Sequence, residues 1–339
     1  MTVLTQTESP LRAFDTIPRH GLIGGPTPLR PASSLTKAFG GPALWLKRDD
    51  LIPFGFGGNK VRGLEFIVAD ALAKGADTLV TGAGSLSNHV RATAAAAREA
   101  GLAMEAVYWG NPPDEVQGNY RLTRLLGAEV NFTGDLDRNS VDGGIAGVTE
   151  KLQAAGCKPY PIPRGGACPL GVVGHALAVE ELMIQCREAG VAPDLIFLAV
   201  GSGATLAGWL LGSKLLGAPW RIEGVTVSRP AEEARARAAN FAREAAALAG
   251  ISFEIDPGEI TIHDGFIGEG YGIASPEGSS AIEKVARTAG IFLDPVYTGK
   301  TFAAYLHLLA QGHFQGVGDA VFMHTGGEPS LFVGKGDYS

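Results

Sequence analysis

The chain has 339 residues, 45% of them hydrophobic and 19% charged, which excludes an intrinsically disordered protein. Its 28 basic and 35 acidic residues leave a net charge of −7, which argues against a general nucleic-acid binder. The length suggests about two domains and a core large enough to need no disulfide or metal staple.

Residues 44–51, "LWLKRDDL", lead into a glycine-rich stretch, "FGFGGNKVRGLEF", at 54–66. From Lys60 the spacing of Val61, Leu64, Val68 and Leu72 predicts a helix. "TLVTGAG" at 78–84 reads as a buried strand entering a glycine turn. A helix follows at 87–101, capped by Ser87, filled by alanines and ended by Gly101. A strand at 103–110, a helix at 119–127 and a strand at 128–133 continue the rhythm. The stretch 161–175, with three prolines and four glycines, reads as a junction between lobes. Beyond it, 194–217 is a strand, a glycine-rich turn and a helix, and 221–230 is another strand. Helical spacing at 281–290 and a strand into a glycine turn at 318–327 close the chain. Such β-α-β alternation implies an α/β fold with parallel sheets covered by helices on both faces.

No run of about 18 apolar residues marks a membrane span, and residues 1–10 lack the basic and apolar regions of a secretory signal. Cys157, Cys168 and Cys186 are an odd number without C-x-x-C spacing, which fits a reducing compartment. The expectation is a cytoplasmic protein that uses neither membrane nor nucleic acid. The seven histidines are scattered, with no H-E-x-x-H motif or Cys/His cluster, so no metal site is expected. A G-x-S-x-G elbow is also missing.

Four features can carry chemistry. Lys60 stands where a glycine loop meets a helix N-terminus. The positive end of the helix dipole and partial burial both favour its neutral amine, the form required of a general base or a Schiff-base lysine. The plainer reading is a solvated helix lysine. "GAGSLSNHVR" at 82–91 puts Ser85, Ser87 and Asn88 at another helix start, a place for a substrate carboxylate or simply a cap. His89 there fits a structural role better than proton transfer. "AVGSGATLAG" at 199–208 runs from a strand through Gly201, Ser202, Gly203, Ala204 and Thr205 into a helix. Its N–H groups and hydroxyls can cradle the phosphate of a small cofactor. It carries no lysine of a nucleotide-hydrolysing P-loop and does not match G-x-G-x-x-G. Tyr271 in "GEGYG" and Tyr297 in "DPVYTGK" lie among glycines, and a phenol there can stack on an aromatic cofactor or move a proton.

Taken in order, "FGGNKVRGLEF", "SNHVR", "PIPRGG", "VGSGATLAG", "VTVSR", "DPVYTGK" and "HTGG" resemble the fold type II pyridoxal-phosphate enzymes, and among them the D-cysteine desulfhydrase and aminocyclopropane-carboxylate deaminase family. The resemblance runs from about residue 20 to 332. It implies pyridoxal 5'-phosphate as cofactor and a homodimer acting on a small amino acid. It further implies a larger cofactor-phosphate-binding domain from 1–60 and 165–339 and a smaller substrate-binding domain from 61–164. Lys60 would be the Schiff-base lysine and the base at the α-carbon. Ser87 would hold the substrate carboxylate and Asn88 the cofactor's phenolic oxygen. Gly201, Ser202, Gly203, Ala204 and Thr205 would hold the phosphate. Tyr297 would stack near the ring and Tyr271 would face the substrate. Thr325 would lie at the ring nitrogen. A hydroxyl there cannot hold a protonated ring as a carboxylate would, which favours prompt loss of a β-leaving group.

The implied reaction is α,β-elimination to a 2-oxo acid and ammonia, with D-cysteine as the first choice of substrate. Thr298 stands where the deaminase branch carries a glutamate, and "VTVSR" also leans to the desulfhydrase branch. Cysteate desulfonation, ring-opening of aminocyclopropane carboxylate, or binding of the cofactor without catalysis are the alternatives. Gly63 replaces a lysine that the family uses at the phosphate. Leu86, Ala167 and Cys168 depart from the family in segments expected to line the pocket. Arg164 reads either as a surface residue or as a partner for an anionic side chain such as a sulfonate.

Overall fold

A computed structural model of the chain describes residues 9–334. Two sheets form its framework. The larger has six strands in the order β1 (Leu29–Pro31), β2 (Ala43–Arg48), β10 (Asp319–His324), β7 (Leu195–Val200), β8 (Arg221–Thr226) and β9 (Thr261–His263). The smaller has four, β5 (Glu129–Phe132), β4 (Ala103–Tyr108), β3 (Thr78–Ala83) and β6 (Pro159–Pro161). Every pairing is parallel except that of β1 with β2. β3 and β7 are buried along their whole length, as expected of strands covered by helices on both faces.

Helices connect these strands: α1 (Ser33–Phe39), α2 (Lys60–Ala73), α3 (Asn88–Glu99), α4 (Gly118–Leu125) and α5 (Ser140–Ala154) in the first half, then α6 (Pro169–Ala189), α7 (Ala204–Leu216), α8 (Ala231–Leu248), α9 (Pro276–Ala289) and α10 (Thr298–Ala310). Three sequence readings change. The supposed junction at 161–175 is irregular only to Cys168; from Pro169 it is the first two turns of α6, because Pro169 occupies the first helical position, which tolerates proline. α9 starts at Pro276 behind a Ser275 cap, earlier than its apolar spacing shows. Leu72 is exposed, whereas Val61, Leu64 and Val68 are buried.

By length and composition α6 could cross a membrane. Here it is a core helix, wedged between α2 and α7. Glycines make the wedge tight. A β-carbon on Gly63 of α2 would lie 2.5 Å from the carbonyl oxygen of Gly171, and one on Gly208 of α7 would lie 2.7 Å from that of Val172. α2 begins with Lys60 and α7 begins at the glycine-rich turn after β7, so α6 sets the distance between the two.

Candidate active site

A cavity of about 300 Å³ opens at the carboxyl ends of β3, β7 and β10, the place where parallel α/β sheets bind ligands. Lys60, Ser87 and Asn88 line it, as do Gly201, Ser202, Gly203 and Thr205. Tyr271, Tyr297 and Thr325 complete the wall. Ala204 is the exception among the expected residues. Its side chain turns into the core beneath α7, so only its backbone can serve the cavity.

Lys60 is the first residue of α2, and its Nζ donates to the carbonyl of Gly165 at 3.1 Å. Burial pushes its ammonium down to about 8, with Cys168 acting in the opposite direction. A large share of neutral amine is therefore present in mildly alkaline water. Two residues on, Arg62 forks onto both oxygens of Asp49, at 2.9 and 2.8 Å, and reaches Glu181 of α6 at 3.0 Å. This buried network pins the start of α2 and with it the root of Lys60.

Ser87 caps α3 by accepting from the Val90 N–H at 3.3 Å, which leaves its own hydroxyl proton for a ligand. Asn88 accepts from Asn119 Nδ2 at 2.9 Å through its Oδ1, so its amide NH₂ remains a donor toward the cavity. Asn119 also donates to the Leu86 carbonyl at 2.8 Å and accepts from Arg91 Nε at 3.0 Å. The Arg91 guanidinium then holds the carbonyls of Gly55 and Gly57 in the loop before Lys60. One buried chain of polar groups thus joins the two loops that present Lys60 and Asn88. Arg91 sits inside the "SNHVR" motif, but nothing in the sequence pointed to Asn119. His89 bonds to Thr81 at 3.0 Å, and burial followed by the nearby Lys60 drives it down to about 3. It is a neutral structural histidine.

The turn Gly201–Thr205 ends β7 and starts α7. Gly203, at φ 103°, takes the N-cap position, and no side chain caps the helix. Its first-turn N–H groups are left for an anion. Thr205 is oriented by Asn59, whose Nδ2 donates to its hydroxyl at 3.0 Å. Thr325 follows β10, and its carbonyl accepts from the Asn59 N–H at 3.1 Å.

Tyr271 and Tyr297 share a hydrogen bond of 2.5 Å between their hydroxyls. Burial raises both phenols, and for Tyr297 the neighbouring Tyr271 adds to the rise. Both are therefore protonated at neutral pH. The Tyr297 ring lies against Gly201, where a β-carbon would come within 3.2 Å of it. Asp294 accepts from the N–H groups of Val296, Tyr297 and Thr298 at 2.7–2.9 Å and so shapes the start of α10. Thr298 donates to Asp294 at 2.7 Å and lies outside the cavity wall. Lys300 donates to the carbonyls of Ile267 and Gly270, at 2.6 and 3.1 Å, holding the loop that carries Tyr271.

The profile of the Pyridoxal-phosphate dependent enzyme family matches residues 21–326. The chain belongs to this family. It is 40% identical over 323 residues to the D-cysteine desulfhydrase of Yersinia enterocolitica, covering 93% of this chain and 96% of the relative. A solved structure described as an ACC deaminase homologue superposes with a TM-score of 0.88 at 36% identity, covering 95% of both chains. The fungal L-serine ammonia-lyase of Rhizomucor miehei, at 17% identity and a TM-score of 0.66 over 89% of this chain and 93% of that one, shares the fold. The protein is a pyridoxal-phosphate-dependent lyase of the fold type II class.

Pyridoxal phosphate fits the residues present. The uncapped α7 N-terminus with Thr205 offers donors to a phosphate, and Lys60 offers an amine of lowered basicity to an aldehyde. The Thr325 hydroxyl and the Asn88 amide supply polar contacts elsewhere on the wall. Gly63 is explained by packing, since no side chain fits between α2 and Gly171. Of the pocket departures, Ala167 lines the cavity, whereas Leu86 and Cys168 do not; Leu86 instead offers its carbonyl to Asn119, and Cys168 precedes α6 below Lys60. Arg164 is half-buried and lines the cavity together with Arg138, Arg229 and Arg237.

Proposed function

We propose that this lyase performs α,β-elimination on a small β-substituted amino acid, with D-cysteine as the first substrate to test, giving pyruvate, sulfide and ammonia. The observation that carries the reading is a lysine of lowered basicity in one cavity with an uncapped phosphate cradle and a protonated tyrosine pair. Bound pyridoxal phosphate supplies an electron sink for the α-carbon.

The chain's residues do the rest. Lys60 would anchor the cofactor and is the base placed to take the substrate's α-proton. Ser87 and the α3 N-terminus hold the substrate carboxylate. Asn88 would donate to the cofactor's phenolic oxygen, and the Gly201–Thr205 backbone would hold its phosphate. The Thr325 hydroxyl would face the ring nitrogen, and it brings no negative charge there. Tyr297 would flank the cofactor ring, and Tyr271, hydrogen-bonded to Tyr297, is placed to deliver a proton to the departing thiolate. Water then releases ammonia from the enamine left behind.

The proposal extends to a cytoplasmic homodimer, on the strength of the cysteine pattern and the family resemblance; light scattering behind a sizing column tests the dimer. For the reaction, the cofactor-loaded protein is offered D- and L-cysteine and aminocyclopropane carboxylate while 2-oxo acid is measured. Pyruvate and sulfide from D-cysteine in equal amounts support the reading. 2-Oxobutyrate from the cyclopropane alone would move it to the deaminase branch.

A further inference from the structure

Four guanidinium groups converge on the mouth of the cavity, in a chain whose net charge is −7. Arg138 and Arg164 come from loops beside the four-stranded sheet, and Arg229 and Arg237 from the end of β8 and from α8. Their only ion pairs with acids among the described residues are Arg164–Asp142 at 3.3 Å and Arg229–Glu233 at 2.6 Å. Asp142 is the single carboxylate on the cavity wall among those residues. Asp137 lies beside Arg138 in sequence, but its carboxylate accepts from the Asn139 N–H at 2.9 Å.

The arginines are also held in place. Arg229 donates to the Gly201 carbonyl at 3.1 Å and Arg237 to the Ser202 carbonyl at 3.3 Å. Arg164 donates to the carbonyl of Arg138, and Arg138 to that of Ser228, so the two loops meet across the cavity mouth. Like charges held this close are costly without a counter-charge. Burial first, and then Arg237, Arg138 and Arg164, bring Arg229 down to about 10. The cofactor phosphate already has the α7 N-terminus and Thr205. Arg138 and Arg164 approach from the opposite sheet, where nothing in the described reaction uses them.

We propose that Arg138 and Arg164, backed by Arg229 and Arg237, recognise a tetrahedral oxyanion on the β-carbon of the substrate. The inference rests on the elimination reading and names its leaving group. A β-carboxylate is unsuited, because it would have to depart as a carbanion; a sulfonate or a phosphate ester departs with its electron pair. For cysteate, Lys60 removes the α-proton and the Cβ–S bond breaks with its electrons passing to sulfur. Sulfite leaves, and the enamine takes a proton at the β-carbon and one water to give pyruvate and ammonium. No oxidant or reductant is needed. The guanidiniums stabilise the charge that builds on the departing oxygens.

The test compares kcat/KM for cysteate, O-phosphoserine and cysteine, each in both hands, in the cofactor-loaded protein and in Arg164→Gln and Arg138→Lys. Sulfite, phosphate and sulfide release are measured alongside pyruvate. The expected result is a higher kcat/KM for one oxyanion substrate than for cysteine. That preference falls roughly 10- to 100-fold in Arg164→Gln, as for one lost charged hydrogen bond, with a rise in KM and pyridoxal phosphate fully retained. Arg138→Lys keeps the charge and retains more of the preference. Whether sulfite or phosphate appears identifies the anion.

Pyruvate from cysteine, with neither oxyanion substrate turned over or competing, would overturn the proposal and leave the elimination intact. Loss of bound cofactor from Arg164→Gln, with unchanged preference, would also overturn it by assigning the cluster to the cofactor phosphate. If no amino acid yields a 2-oxo acid, the elimination reading fails, and calorimetric titration with 3-sulfopropionate decides the anion site separately. Binding that Arg164→Gln weakens supports the site; no binding refutes it.

Discussion

Gly63→Ala tests whether the α2–α6 contact sets the position of Lys60. In a helix interior, alanine is favoured over glycine by about 1 kcal/mol. Against this, the new β-carbon would meet Gly171 at 2.5 Å from its oxygen and 2.9 Å from its α-carbon. Both are backbone atoms of a buried helix and cannot swing aside, so overpacking of about 1–3 kcal/mol, toward its upper end, applies. The net expectation is a loss of about 1–2 kcal/mol, with a fall in Tm of a few °C. Gly147, on the exposed face of α5, is the control, since an added β-carbon there would find no atom within 4 Å. Gly147→Ala gains propensity with no clash and stabilises by about 0.5–1 kcal/mol. Urea unfolding of both variants reads the two signs. Because Gly63 is on the helix that starts with Lys60, kcat also falls in the first variant and not in the second. A Gly63→Ala protein as stable as the parent would refute the reasoning.

Other consequences can be checked in the same way. Reductive methylation of the cofactor-free protein, followed by mass spectrometry, should show Lys60 labelling rise with pH to a midpoint near 8, because only the neutral amine reacts and burial lowers this ammonium to about 8; a midpoint in the ordinary lysine range would contradict the site's electrostatics. Asn119→Ala strips an acceptor from buried Arg91 and a donor from Asn88. It should cost about 1–3 kcal/mol in urea unfolding and speed loss of pyridoxal phosphate on dialysis, and wild-type retention would remove Asn119 from the account. Lys300→Met releases the carbonyls of Ile267 and Gly270. Proteolysis within 264–272 should accelerate and KM should rise; unchanged KM would show that the loop is held by other contacts.

Much of the framework was legible because each strand-to-helix unit carries its own local marks. β3, β4 and β7 are short apolar runs that end in glycine, and α3 has a serine cap and a glycine stop. β1 escaped notice because three residues of an edge strand, paired antiparallel, carry no periodicity. At the site, Lys60 and the Gly201–Thr205 turn declare themselves through the helices that they start. The Tyr271–Tyr297 bond could not be read, since it joins residues 26 positions apart on separate loops. Thr298 served in the sequence only to separate two branches of the family; its partner, Asp294 four residues earlier, which captures its hydroxyl, shows only in the fold. The arginine cluster is the plainest case. Its members come from four separate segments, and only the folded chain brings them to one opening.

Identity of the anchoring lysine is the most direct test of the account. The pyridoxal-phosphate-loaded protein is reduced with borohydride, digested and analysed by mass spectrometry. The account predicts a single pyridoxyl group on Lys60. The same group on Lys47 or Lys300, the two fully buried lysines among the described residues, or none at all, would contradict it.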